Sequence, residues 1–295
     1  MLKIKAPCSS ANVGPGFDCL GIAFDIYNCF TFEKSTKNSY NGFAEKYCND
    51  TNLVYRAYKF ATESFGEKVE QLKITFEGEI PAARGLGSSS TCIVAGVVAA
   101  YELAGKKYDK NDVAYLASRF EKHPDNVSAC VYGGFVNSVM LFDGYEEKLV
   151  VEKMPVHQSF DFYALIPNFS LNTRQSREIL PKSVSLTAAK KNVANVALLI
   201  KAFERGDGKL LSYACEDWLH QPYRGGIIEG FFDIKSGATD IGANAVFLSG
   251  AGPTILVVSQ MDIMQKLSEL PQVKSGRWQI KRMHVDTQGY QIEKI

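Results

Sequence analysis

The sequence predicts an α+β fold in two halves. The first third is strand-rich, with alternating and β-branched runs. A segment from Ser88 to Leu103 is apolar around nearly the whole circumference of a helix. The second half then interleaves long helical stretches with short strand-like runs. At about 150 residues per domain, 295 residues suggest two domains or one large one. Charge density rises between Asp143 and Val156, where Pro155 also appears, so the division is read at 1–150 and 151–295.

Taken in order, Lys3 to Pro7 and Ile22 to Glu33 read as strands, and Gln71 to Phe76 alternates apolar and polar residues. Asn52 to Phe65 has helical spacing, with Asn49, Asp50 and Thr51 as candidate N-caps and Gly66 as the stop. The next helix starts near Ser88 to Ser90, runs through Ile93, Val94, Val97, Val98 and Leu103, ends at Gly105 and should be buried. Asp109 caps a helix running to Arg119, with Leu116 and Phe120 on its apolar side. Val131 to Leu141 and Phe160 to Ile166 read as strands. Helices are expected over Leu186 to Arg205, Lys209 to Leu219 and Met261 to Leu270. Strands are expected over Ala243 to Leu248, Thr254 to Val258 and Trp278 to Val285.

Composition excludes several classes of function. Lys and Arg number 33 against 32 Asp and Glu, a net charge of +1, so no global field attracts nucleic acid or an anionic membrane. The longest apolar run, Cys92 to Tyr101, is little more than half a membrane span. The odd set of seven cysteines, none in CxxC spacing, and four scattered histidines signal neither a zinc site nor a redox dithiol. Reduced thiols and an N-terminus that alternates like a strand point to the cytoplasm.

Chemistry concentrates in a few segments. The densest is Pro81-Ala82-Ala83-Arg84-Gly85-Leu86-Gly87-Ser88-Ser89-Ser90-Thr91, a glycine-bearing loop that feeds the buried helix. Gly85 and Gly87 let backbone amides approach a ligand, and a helix N-terminus carries unpaired N–H groups and positive dipole, which suits phosphate. No GxxxxGK[ST] is present, so no loop lysine neutralises the phosphates. A plain serine-capped helix is the alternative. Ser9-Ser10-Ala11-Asn12-Val13-Gly14-Pro15-Gly16-Phe17-Asp18 is able to present Asn12 and Asp18 to a small polar ligand, or is an ordinary turn. In Glu121-Lys122-His123-Pro124-Asp125-Asn126, Glu121 suits a hard dication, and His123 and Asn126 suit substrate. Ser249-Gly250-Ala251-Gly252-Pro253-Thr254 lies between two strands and fits a tight hairpin.

Jointly and in this order, PAARGLGSSS, SSANVGPGFD, EKHPDN and SGAGPT resemble the GHMP kinase superfamily over nearly the whole chain. SSANVGPGFDCLG and HPDN point within it to the branch that phosphorylates L-homoserine, as do Thr173 to Pro181 and His220-Gln221-Pro222-Tyr223-Arg224, which resembles the family's PYR segment. The resemblance implies ATP-dependent phosphorylation of the L-homoserine hydroxyl, a step towards threonine, with ATP and Mg²⁺ as cofactors. It implies an N-terminal ATP-binding domain of βαβ type, a C-terminal ferredoxin-like domain, an active site in the cleft between them and, often, a homodimer. No nucleic-acid or membrane partner is implied. Pro81 to Thr91 match the ATP phosphate loop, and Ser88 and Glu121 match the magnesium positions. Asn12, Asp18, His123, Asn126, Arg177 and Arg224 match substrate contacts, with Asn12, Asp18 and Asn126 at the reacting end. Either arginine can grip a carboxylate bidentately, and Asp18 suits an ammonium or hydroxyl. Ser90-Thr91-Cys92 depart from the family's usual small residues, and acidic placement before HPDN varies. The rivals are a mevalonate-type kinase of the superfamily and a non-catalytic ligand-binding regulator of the same fold.

Overall fold

In the computed structural model, residues 1–171 and 173–294 are described, except for the side chains of residues 173 and 174. The side chains of Thr173 and Arg174, within one of the family segments above, therefore lie outside the described residues. β1 (Leu2–Ala11) alternates buried and half-buried residues along its first half. It runs antiparallel to β2 (Leu20–Lys34), with a register shift between Pro7 and Cys8, where the proline has no N–H to give to the ladder. β3 (Ser39–Asn41), α1 (Leu53–Ser64) and β4 (Leu72–Gly78) form a βαβ unit, because β3 pairs parallel with β4. Asn52 caps α1 by accepting from the Val54 amide at 3.0 Å. The expected caps Asn49 to Thr51 form their own turn instead, with the Thr51 amide donating to Asn49 Oδ1.

α2 (Ser88–Ala104) is buried on nearly every side and ends at left-handed Gly105, as its pattern predicts. It crosses α1 so closely that a Cβ on Gly96 would lie 2.4 Å from the Val54 carbonyl oxygen. α3 (Lys110–Glu121) starts at a capping box between Asp109 and Asp112. α4 (Asp125–Tyr132) was not expected, and the predicted strand from Val131 begins late, as β5 (Phe135–Phe142). Val131 and Tyr132 have strand-like side chains, but they close a helix that breaks at Gly133 and Gly134, both with positive φ.

β5 and β6 (Glu147–Met154) form a hairpin attached to the start of β2. Its exposed tip accounts for the charge density between them. The division expected at 150/151 falls inside β6, and the chain leaves this sheet only after Met154.

The second sheet opens with β7 (Asp161–Pro167), followed by α5 (Thr173–Glu178), α6 (Leu186–Arg205), α7 (Gly208–Ala214), α8 (Gln221–Arg224) and α9 (Phe231–Asp240). β8 (Ala245–Leu248), β9 (Ile255–Ser259), α10 (Met264–Ser268), α11 (Pro271–Lys274) and β10 (Trp278–Met283) complete it. Its order β10-β7-β9-β8 within a βαββαβ plan is ferredoxin-like. α7 stops at Ala214, short of the expected Leu219, and α9 was not foreseen. The closing strand ends at Met283, after which β11 (Gln291–Lys294) returns to pair with β1. The first sheet therefore has seven strands, in the order β11-β1-β2-β4-β3 with β5 and β6 joined through β2. Among the described residues no helix is long and apolar enough to cross a membrane.

The cores show how the halves are joined. α1 to α4 cover one face of the first sheet. A second cluster is shared: Ile22, Phe24 and Phe135 of the first sheet pack with Phe162, Phe203, Phe247 and Leu256 of the second half. The outer face of the second sheet is closed by Phe231, Ile234, Leu267 and Trp278. A cleft between the halves thus has an apolar, close-packed floor. In the α1–α2 crossing, Gly96→Ala should gain helix propensity, but its methyl would meet backbone that cannot rotate away. We expect a net loss of about 1–3 kcal/mol in urea unfolding; wild-type stability would show that the helix pair yields.

Candidate active site

Four segments distant in sequence close on one cavity of about 280 Å³. The 12–18 loop turns through positive φ at Asn12, Val13, Gly14 and Asp18. It is tied from several sides. Asn12 Nδ2 donates to the Gly250 carbonyl at 2.8 Å, and Asn12 Oδ1 accepts from the Asp18 amide at 2.9 Å. Asn192 of α6 donates to the Pro15 carbonyl. The Gly250 amide donates to the Ala11 carbonyl at 3.1 Å, and the Thr254 amide to the Arg84 carbonyl at 3.2 Å. The β8–β9 connection is therefore both a hairpin and a wall of the cavity. Gly85 and Gly87 have φ of +80° and +64°. A Cβ on Gly85 would sit 2.4 Å from the Ser249 carbonyl oxygen, and one on Gly87 2.1 Å from Ser9 Oγ. The conformation and the space both require glycine here.

The predicted phosphate loop divides into two kinds of residue. Ala83, Arg84, Gly85, Leu86, Gly87, Ser88 and Ser89 line the cavity, whereas Pro81, Ala82, Ser90 and Thr91 do not. Thr91 Oγ1 faces the sheet, accepting from Asn28 Nδ2 and donating to the Ser88 carbonyl, each at 2.8 Å. Ser90 is buried and its hydroxyl has no hydrogen-bond partner among the described residues. Arg84 spends its guanidinium on carbonyls, Nε to Pro167 at 2.9 Å and Nη2 to Asn168 at 3.1 Å, pinning the loop to the end of β7. The N-cap of α2 is Gly87, and no side chain caps the helix. The serine-capped alternative therefore does not hold. The first-turn amides and the positive end of a 17-residue helix face the cavity.

Across the cavity lies a charged cluster. Asp18 sits 3.3 Å from His123 Nδ1 and 3.7 Å from Arg177 Nη2. Burial alone would raise its pKa, but the His123 hydrogen bond and the charges of His123, Arg177 and Arg224 hold it below the usual carboxylate value. Asn126 is oriented by Ser9, whose hydroxyl donates to Asn126 Oδ1 at 2.9 Å. Glu121 is pushed up to about 7, by burial first and then by Asp125. Asp125 is pushed up to about 6, by burial and then by Asp18. No lysine, arginine or histidine nitrogen lies within 4 Å of either among the described residues. Arg224 is buried. Its Nε donates to the Ser176 carbonyl at 3.0 Å and its Nη1 reaches His220 Nδ1 at 3.2 Å and the Gly250 carbonyl at 3.4 Å. That leaves Nη2 for the cavity, so Arg224 does not offer the full bidentate fork expected of it.

Every residue matched to the substrate lines this cavity, although Asn12 spends its side-chain amide on the loops. Sequence reading passed over Asp125, although it stands inside HPDN next to Asn126. It gave no role to Ser9 or His220, although both stand inside segments it singled out, because the contacts that give them one, to Asn126 and to Arg224, are set by the fold.

The matches to known proteins agree with this geometry. Residues 52–134 match the model of the GHMP kinases N-terminal domain and residues 199–274 that of the GHMP kinases C-terminal domain. A homoserine kinase from Clostridium beijerinckii is 41% identical, over 99% of this chain and 98% of that protein. The crystal structure of homoserine kinase from Cytophaga hutchinsonii superposes with a TM-score of 0.84 at 29% identity, covering 99% of this chain and 97% of that one. A mevalonate kinase structure, at 12% identity and a TM-score of 0.71 over 98% and 100% of the two chains, shares the fold. With both domain models matched in order and full-length similarity of this degree, the chain belongs to the GHMP kinase family and groups there with the homoserine kinases.

Proposed function

We propose that this chain transfers the γ-phosphoryl group of ATP to the side-chain hydroxyl of L-homoserine. The observation that carries this reading is the pairing of two unlike walls in one cavity. One wall is an uncapped helix N-terminus suited to phosphate. The other sets the carboxylate of Asp18 beside His123 and Arg177, with Arg224 in the same lining, a set suited to a zwitterion with a hydroxyl. Mevalonate has a carboxylate but no ammonium, so it would leave the acidic half of that wall without a partner. The likeness to mevalonate kinase is one of fold.

Phosphoryl transfer asks chiefly for positioning and charge neutralisation. In our reading, amides of Gly85 to Ser89 hold the phosphates, and Arg177 with Nη2 of Arg224 holds the substrate carboxylate. Asp18 receives the ammonium or hydroxyl, and Asn12 serves by fixing Asp18 and the Gly250 wall. Asn126, oriented by Ser9, completes the reacting end. The donors also fit Mg²⁺: Asp125 is buried and Glu121 half-buried, both have raised pKa values and no cationic nitrogen within 4 Å among the described residues, and Ser88 adds a hydroxyl. Bound there, Mg²⁺ would supply the neutralisation that a loop lysine gives other phosphate loops. The seven cysteines are all unpaired, which supports a cytoplasmic setting.

The direct test is ADP release with Mg-ATP against L-homoserine, mevalonate and L-threonine. Turnover on homoserine alone is expected; ATP binding without turnover on any acceptor would sink the reading. Asp18→Asn should leave the KM for ATP unchanged and lower kcat/KM for homoserine by about tenfold to a hundredfold. A drop in kcat would place Asp18 at the transition state, and a rise in KM alone would make it a binding group.

Magnesium linkage gives a further test. Glu121 holds its proton up to about pH 7 in the folded protein, against an ordinary 4.5. Metal-free stability should therefore fall as pH rises through that window. Mg²⁺ selects the ionised carboxylate, so it should raise Tm more at pH 8 than at pH 6. Glu121→Gln should shrink the difference to the part set by Asp125; an unchanged difference would show that Glu121 does not hold the metal.

A further inference from the structure

His220 lies outside the cavity lining and is fully buried. We propose that it is a positioning residue for substrate recognition: its Nδ1 lone pair fixes the Arg224 guanidinium so that Nη2 faces the bound carboxylate. This rests on the reading of Arg224 as a carboxylate-binding group.

The geometry allows one tautomer. A guanidinium donates and never accepts, so the 3.2 Å contact between Arg224 Nη1 and His220 Nδ1 requires a bare lone pair on Nδ1. The ring proton then sits on Nε2, which lies 3.0 Å from the Gly14 carbonyl oxygen and donates to it. Both contacts demand the same neutral ring. Burial favours that form as well and outweighs the Asp217 carboxylate, which lies 3.4 Å from Nε2 and favours the charged ring.

The surroundings hold the ring in place. Asp217 accepts the backbone amides of Leu219, His220 and Gln221 at 3.0, 2.9 and 2.6 Å, fixing the start of α8. Phe17 stacks on the imidazole at 5.3 Å between centroids, and the Arg224 guanidinium lies 5.3 Å from the same Phe17 ring. Gly14 and Phe17 belong to the loop that carries Asn12 and Asp18. One imidazole therefore sets Arg224 relative to the segment that receives the other end of the substrate. A buried arginine with two of its nitrogens committed keeps one orientation, so the substrate carboxylate meets a preset donor.

Steady-state kinetics of His220→Ala, His220→Asn and His220→Gln, each alone and combined with Arg224→Ala, test this with L-homoserine and ATP varied in turn. Asn carries a carbonyl oxygen near the place of Nδ1 and can accept from Arg224. Gln carries its amide near Nε2, beside Gly14 and Asp217, and does not reach Arg224. His220→Ala should raise the KM for homoserine by about tenfold or more, with kcat and the KM for ATP moving less than about threefold. Asn should restore most of the loss and Gln little. In the Arg224→Ala background the His220 substitutions should cost nothing further. Restoration by Gln in place of Asn, or the same cost in both backgrounds, would overturn the proposal. So would homoserine and ATP constants that rise together. If Arg224→Ala leaves the KM for homoserine untouched, the reading of Arg224 itself fails. A further arm needs no substrate: imidazole ¹⁵N spectra, with the His220 signal identified by its loss in His220→Asn, should show a bare Nδ1 and a protonated Nε2. A proton on Nδ1 would refute the His220–Arg224 contact.

Discussion

The site depends on a close approach of backbones that no side chain would permit. Gly85 lies against the carbonyls of Ser249 and Gly252, and Gly87 lies against Ser9. These contacts bring the turn before α2, the β8–β9 connection and the end of β1 to one point. Everything else at the site is arranged around that meeting. The α2 N-terminus can face the cavity because Gly87, with no side chain to fold back, occupies the cap position. Asn12 can bracket Gly250 and Asp18 because the β8–β9 loop is already held there. The shared apolar core beneath gives the approach its rigidity, since the two sheets cannot separate without exposing Phe24, Phe162 and Phe203.

Charge placement follows from this packing. Glu121 and Asp125 stand in a buried pocket near the start of α4, where burial disfavours the ionised carboxylate. Asp18, with His123 and Arg177 beside it, goes the other way. Carboxylates of one cavity are thus set apart by their neighbours, Asp18 held towards the ionised form and Glu121 and Asp125 towards the protonated one. The arginines differ as well. Arg177 is exposed on a short helix, whereas Arg224 is locked by carbonyls and an imidazole.

Where periodicity was strong, elements were legible. α2 and α6 begin and end as their apolar patterns and glycine stops indicate. α4 was not legible, because Val131 and Tyr132 are strand-like residues closing a short helix whose start is set by Pro124 and whose packing is against β1 and β2. β11 was not legible either, since four residues become a strand only through pairing with β1. The glycine-bearing loop before α2 was readable as a segment. Its division into cavity-facing Ser88 and Ser89 and core-facing Ser90 and Thr91 depends on the rotation of α2 on the sheet.

The sequence by itself determined the α+β class, the glycine loop ahead of a buried helix, and the set of polar residues held in family-like motifs. These are local properties, carried by spacing, turn chemistry and helix stops. Only the tertiary structure decided that Asn12 and Arg84 are spent on carbonyls and that Glu121 and Asp125 share one pocket. It also decided that His220 holds Arg224 in one tautomeric state, and that the chain's last strand closes the first sheet. Asn12, Arg84 and the last strand are set by groups far apart in the chain, and the pairs His220–Arg224 and Glu121–Asp125, four residues apart, by how their segments turn and pack, which the neighbouring residues do not encode.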